Sequence, residues 1–171
     1  MFFVCAGKYS GRVIGLLENP ASYEGTDVNL DLVARLVEKI HHEKEEGGSI
    51  LVFLTGWSEI SKLHGILTES LRGSRVRIFP LHSLMPTSDQ RAIFDRPPPG
   101  VRKIILATNI AETSITIDDV VYVVNAGKIK MSNYDVDADI ATLQPEWVSL
   151  ANAKQRRGRA GRYVRNTYVV I

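Results

Sequence analysis

The sequence predicts an α/β domain: a mostly parallel central sheet, helices on both of its faces, and one β-hairpin excursion. Three observations carry this. Short runs that are apolar at nearly every position, Ile50–Leu54, Ile104–Ala107 and Val120–Val124, read as strands buried on both faces. Stretches with apolar residues at helical spacing separate them. The length of 171 residues, 44% hydrophobic and 23% charged, fits a single globular domain rather than a disordered chain.

Taken in order, Leu30, Val33, Val37 and Ile40 mark an amphipathic helix, with Leu32 and Leu36 widening its stripe, Asp27 as its expected N-cap and Gly47-Gly48 as its stop. Ser49–Leu54 follows as a buried strand. After Thr55-Gly56, the residues Ile60, Leu63, Leu67 and Leu71 mark a second helix. Val76–Leu81 reads as a strand, Thr87–Asp95 as a short helix, and Lys103–Ala107 and Val120–Val124 as further buried strands. Pro97-Pro98-Pro99-Gly100 is the strongest internal punctuation. Lys128–Ser149 alternates weakly around a polar turn at Asp135–Asp139 and reads as the hairpin. Thr167–Ile171 is a last strand that runs into the C-terminus, which suggests a domain excised from a longer chain.

Several function classes are excluded or unsupported. No apolar run approaches the roughly 18 residues that a bilayer span requires, so no membrane partner is expected. Met1–Cys5 has neither the basic lead-in nor the long apolar core of a secretory signal. The single cysteine, Cys5, excludes an internal disulfide and a cysteine-based zinc site, and an intracellular location, cytoplasmic and/or nuclear, is expected. His41-His42, His64 and His82 read as surface residues rather than as metal ligands, and no metal site is expected. Trp57 and Trp147 suit either base stacking or packing.

The net charge of +2 implies little, but its distribution implies more. Between Ala151 and Arg165 lie six cations and no acid. Within that stretch, Gln155-Arg156-Arg157-Gly158-Arg159-Ala160-Gly161-Arg162 spaces arginines three apart, close together on a helical face, with glycines that let backbone approach a ligand. A planar guanidinium that is always charged pairs bidentately with phosphate oxygens. Two such groups beside a glutamine supply parts needed for phosphoryl transfer: a phosphate clamp, an arginine finger and a group that positions water. A solvated basic helix or a localisation signal is the competing reading, and the two glycines disfavour it.

The second motif is Ala107-Thr108-Asn109-Ile110-Ala111-Glu112-Thr113-Ser114-Ile115-Thr116-Ile117-Asp118-Asp119. It follows a buried strand, where open parallel sheets bind ligands. Its hydroxyls, amides and backbone N–H groups suit a sugar–phosphate backbone, and Asp118 could accept from a ribose hydroxyl. An ordinary capped loop explains the same residues equally well.

Together these segments resemble a known family over nearly the whole chain. Ile50–Gly56, Thr108–Ile117 and Gln155–Arg162 look like motifs IV, V and VI of superfamily 2 helicases, and their wording resembles the DEAH-box/RNA helicase A group. Gly7–Glu18 looks like the linker strand that opens the second RecA-like domain of that family. The resemblance implies a RecA-like three-layer sandwich over residues 1–171, with residues 1–26 as lead-in linker and first strand. Pro80–Pro86 and Arg96–Lys103 are most similar to the branch that contains the G-quadruplex-resolving helicase.

The resemblance also implies roles. Arg159 and Arg162 match arginine fingers, and Gln155 matches the residue at the γ-phosphate and lytic water. Asp118 matches the ribose contact, Phe94 the ring stacked on adenine, and Ser114 the serine that responds to nucleotide state. Without the resemblance, Phe94 would be read as core. Thr55, Gly56, Thr108 and Asn109 match contacts to the RNA backbone, and Lys128–Ser149 matches a strand-separating or strand-guiding hairpin. ATP is the implied cofactor, single-stranded RNA the implied partner.

Neither Gly-x-x-x-x-Gly-Lys-Ser/Thr nor Asp-Glu-x-His occurs; Gly7-Lys8 and Gly127-Lys128 lack the surrounding pattern. The phosphate cradle and the carboxylates that hold Mg2+ are therefore expected on a first RecA-like domain outside this chain, as are the family's C-terminal domains. The chain by itself is expected to be monomeric and inactive. Arg162–Asn166 departs from the family, where a glycine-bearing turn usually precedes the last strand. The competing functions are a non-motor nucleic-acid-binding or scaffold module on the same fold, and a DNA translocase lobe.

Overall fold

In the computed structural model, the described residues are 28–43, 47–83, 85, 90–113, 117–135, 140–159 and 167–170. The expected linker strand at Gly7–Glu18 lies outside them. Helix α1 (Leu30–Glu43) buries Val33, Leu36, Val37 and Ile40, the stripe its spacing predicts. Its cap is Asn29, whose Oδ1 accepts the Leu32 amide at 3.0 Å; Asp27, the expected cap, lies outside the described residues. Gly48 turns the chain at φ +120°, a conformation that favours glycine, and a Cβ there would stand 2.3 Å from Val121 Cγ2.

Strand β1 (Ser49–Phe53) is buried at every position. Helix α2 (Trp57–Ser70) and strand β2 (Val76–Leu81) follow as expected. Strand β3 (Arg102–Ala107) precedes a single helical turn, α3 (Ile110–Thr113), and strand β4 (Val120–Asn125) comes next. The hairpin pairs β5 (Lys128–Asp135) with β6 (Ile140–Trp147) antiparallel, Lys128 opposite Trp147, as a sheet of its own. Helix α4 (Leu150–Arg157) and strand β7 (Thr167–Val170) complete the order.

The expected helix at Thr87–Asp95 needs correction at its C-terminal end: of its described residues, 90–95, Gln90 and Arg91 are helical and the rest are not. The chain then closes a tight turn in which the Phe94 amide donates to the Arg91 carbonyl. Pro97 just beyond disfavours helical backbone at the residue before it.

The central sheet has the order β2-β3-β1-β4-β7, and every pairing in it is parallel. Alternation of side chains then sorts the core by parity. Ile50, Val52, Ile104, Leu106, Tyr122 and Val124 face α1 and α2. Leu51, Phe53, Ile105, Ala107 and Val123 face the other side, where Ile93, Ala111 and Ile117 cover them. These are the three layers of an α/β sandwich. Among the described residues, no helix is long and apolar enough to cross a membrane.

Candidate functional site

The second of these faces gathers the residues that the two motifs singled out. At the C-terminal edge of the sheet, Thr55-Gly56 leaves β1 and Thr108-Asn109 leaves β3. The two strands are paired up to Phe53 and Ala107, and the Leu54 amide donates to the Ala107 carbonyl at 2.8 Å. The four candidate backbone-contact residues therefore lie on neighbouring strand ends. Asn109 is exposed, whereas Thr55, Gly56 and Thr108 are buried.

Helix α4 is seated on this edge. Ser149 caps it, its Oγ accepting the Asn152 amide at 3.2 Å. Of the arginines three apart, Arg156 and Arg159 both reach Glu112, and Arg156 turns fully inward, 0% exposed. Arg156 Nε donates to Glu112 Oε1 at 2.6 Å, and Nη1 donates to Asn125 Oδ1 at 2.6 Å and to the Lys128 carbonyl at 3.3 Å. Its guanidinium lies 4.8 Å from the Phe53 ring centroid. Glu112, itself buried, takes the Asn152 side-chain amide on Oε2 at 2.9 Å. Bonds to its remaining polar atoms support a buried charge pair, and this one draws on α3, β4, β5 and α4 at once, with Arg156 Nη2 buried and unbonded.

Arg159 follows the helix end, past Gly158 in right-handed conformation, and is half-buried. Its Nη2 donates to the Glu112 carbonyl. Gln155 is exposed on α4. Arg162 and Ser114 lie outside the described residues.

The N-terminal edge of the same face holds the other candidates. Phe94 is 50% exposed beside buried Ile93, which corrects a core reading of its ring. Asp118 is exposed in the turn before β4. Between their loops sits Lys103, 1% exposed, bonded to Ile93 O at 2.6 Å, Asp95 O at 3.0 Å and Asp119 Oδ1 at 2.8 Å. From Lys103 to Ala107 is roughly 13 Å of strand. One layer thus carries an exposed ring and a carboxylate at one end and a cation with a glutamine at the other.

Sequence reasoning passed over Arg156, Glu112, Lys103 and Asp119. Lys103 gave a faint signal, as a cation at the head of an otherwise apolar strand. Glu112 gave another, between residues that look buried.

The histidines and tryptophans take other places. His41 is half-buried rather than solvated, 5.0 Å from the His42 ring centroid. Desolvation, then the charges of His42 and Arg102, hold its pKa below the ordinary histidine value. Trp57 packs edge-on against His82, and Trp147 lies under Lys128 Nζ at 5.0 Å, across the hairpin pair. Among the described residues, no group of three or more His, Cys, Asp or Glu is arranged to hold a metal ion.

The chain resembles known proteins over most of its length. Residues 30–164 match the family described as helicase conserved C-terminal domain. The chain is 54% identical over 157 residues to the rat ATP-dependent DNA/RNA helicase DHX36, and 53% identical to the human one. It is 55% identical over 161 residues to the DExH-box ATP-dependent RNA helicase DExH1 of Arabidopsis thaliana. Each match covers 91% of the chain, but the chain spans only 15–16% of the length of these relatives. Among solved structures, the E. coli DExH-box NTPase HrpB superposes with a TM-score of 0.75 at 35% identity, over 86% of this chain and 18% of that one.

Proposed function

The chain belongs to the helicase conserved C-terminal domain family, as the second RecA-like domain of a DEAH-box/RNA helicase A protein, and from that premise we propose that it is one motor lobe of an ATP-dependent RNA helicase. The observation that carries the reading is the junction of α3 and α4. Glu112 lies three residues beyond Asn109, and its side chain binds Arg156 while its carbonyl receives Arg159. The segment suited to nucleic-acid backbone and the segment suited to phosphate are thus one packed unit.

The residues present fit a nucleotide. Phe94 offers an exposed face to a base, Asp118 an acceptor to a ribose hydroxyl, and Gln155 and Arg159 polar groups to phosphates. Arg162 is proposed as the second finger on its motif position alone. ATP supplies the phosphoryl group, with Mg2+ held mainly by the first RecA-like domain of the full-length protein.

In this mechanism the arginines stabilise charge on the transferred group only when the two lobes close. The bond from Arg159 to the Glu112 carbonyl ties the finger to α3, directly beyond Thr108 and Asn109, and so couples nucleotide state to the grip on RNA. Thr55, Gly56, Thr108 and Asn109 hold the backbone of the strand, and the β5–β6 hairpin guides it. The wording of Pro80–Pro86 and Arg96–Lys103 extends the proposal to G-quadruplex resolution by the whole protein.

The test is ATP turnover by the full-length protein, with and without RNA. Arg159→Ala or Arg162→Ala is expected to lower it on the order of 10³-fold while the fold is retained. Near-wild-type turnover overturns the motor reading and favours a non-motor binding module. Matched RNA and DNA strands then separate an RNA helicase from a DNA translocase, since phosphate contacts do not distinguish the sugar.

A further inference from the structure

A lysine at the head of a buried strand is an expensive choice. Burying an ammonium costs several kcal/mol unless it is paired and hydrogen-bonded, and an apolar residue often serves stability as well. Lys103 is 1% exposed and satisfies all three of its N–H donors. Two go to the carbonyls of Ile93 and Asp95, at 2.6 and 3.0 Å, and the third to Asp119 Oδ1 at 2.8 Å. Asp119 is itself fixed: its Oδ2 accepts Ser49 Oγ at 2.6 Å and its carbonyl accepts the Ser49 amide at 2.7 Å.

The two carbonyls flank a single residue, Phe94. Ile93 is packed in the core on one side of it, and the Phe94 amide donates to the Arg91 carbonyl at 3.0 Å. The backbone on both sides of the exposed ring is therefore tied to one buried charge. The same charge is tied to Asp119, the residue next to Asp118.

We propose that Lys103, locked by Asp119, is a positioning residue that sets the Phe94 ring and the Asp118 carboxylate at a fixed separation to receive a purine nucleoside. This rests on the reading of Phe94 and Asp118 as nucleoside contacts. Neither Lys103 nor Asp119 touches the nucleotide. Their contribution is preorganisation, since a ring already held in place forfeits less freedom when a base stacks on it.

The experiment uses the full-length protein with Lys103→Met, which keeps the stem and removes the ammonium, and Asp119→Asn, which keeps an acceptor for Ser49. Three quantities are read: KM for ATP, turnover at saturating ATP, and the inhibition constant of inorganic tripolyphosphate, which has neither base nor ribose. KM for ATP is expected to rise about tenfold, within the worth of one base–aromatic stack. Turnover at saturating ATP and inhibition by tripolyphosphate are expected to stay as they were. In a Phe94→Ala background, Lys103→Met is expected to add no further rise.

A loss of tripolyphosphate affinity equal to that of ATP would assign Lys103 a general structural role and overturn the proposal. So would an undiminished effect in the Phe94→Ala background, or an unchanged KM in both single variants. Should Lys103→Met fail to fold, Asp119→Asn decides alone, by the same criteria. Phe94→Ala with an unaltered KM for ATP would instead overturn the nucleoside reading itself, and the positioning role with it.

Discussion

Arg156 and Glu112 stand 44 positions apart in the chain and meet at 2.6 Å as a fully buried ion pair. The pair joins the helix of the arginine-rich motif to the single helical turn of the Thr-Asn-Ile-Ala-Glu motif. Removing one partner leaves the other charge buried and uncompensated. Arg156→Met or Glu112→Gln is therefore expected to lower unfolding free energy by about 3–5 kcal/mol, measured by denaturant melts. The double variant Arg156→Met/Glu112→Leu is expected to recover much of that stability, because no lone charge remains.

Arg159 tests the proposed finger chemistry separately from its charge. Arg159→Lys keeps a cation but loses the planar fork that matches phosphate oxygens. RNA-stimulated ATP turnover of the full-length protein is expected to fall on the order of 10³-fold, with little change in melting temperature. Turnover close to wild type would show that position 159 needs only positive charge.

Gly48 and Gly47 form a matched pair for the turn into β1. Gly48 combines φ +120° with a virtual Cβ 2.3 Å from Val121, while a Cβ at Gly47 would meet nothing within 4 Å. Gly48→Ala is expected to destabilise by about 1–3 kcal/mol, and Gly47→Ala to be near neutral. Thermal denaturation of the two variants side by side is the check.

His41 gives the fold a dependence on pH. Its folded-state pKa lies below the ordinary value of 6.5, chiefly through desolvation. The unfolded chain therefore binds a proton at higher pH than the folded chain does. Stability is expected to fall as pH drops below about 6.5, and to level off once the folded-state pKa is passed. His41→Gln should flatten that decline in denaturation midpoints measured between about pH 7.5 and 5.5; an equal slope in wild type and variant would remove His41 as the cause.

The sheet and its helices were legible because burial writes itself into periodicity. The all-apolar runs of β1, β3 and β4 and the stripe Val33–Val37–Ile40 needed nothing beyond spacing. The motif residues were legible as chemistry, through guanidinium, amide and hydroxyl at strand ends. What spacing could not give was partnership. That Arg156 turns inward while Gln155 beside it is exposed depends on where Glu112 and Phe53 come to lie in space. The tight turn at Phe94 hid behind a helical pattern because its shape is set by the proline run after it and by Lys103, bonds that leave no mark on local sequence. Asn29 displaced Asp27 as the cap by starting the helix two positions later.

Because side chains alternate along a strand, odd- and even-numbered residues of β1 and β3 answer to different layers, and a mutational scan of these two strands can be read by arithmetic alone. Truncation of Ile50, Val52, Ile104 or Leu106 disturbs only the side braced by α1 and α2, and its cost should appear as lost melting temperature shared by every activity. Truncation of Leu51, Phe53, Ile105 or Ala107 disturbs the floor beneath Arg156, α3 and the Phe94 turn, so catalysis should suffer beyond what the melting temperature explains. The parity of a residue number becomes a ruler that separates injury to the scaffold from injury to the engine.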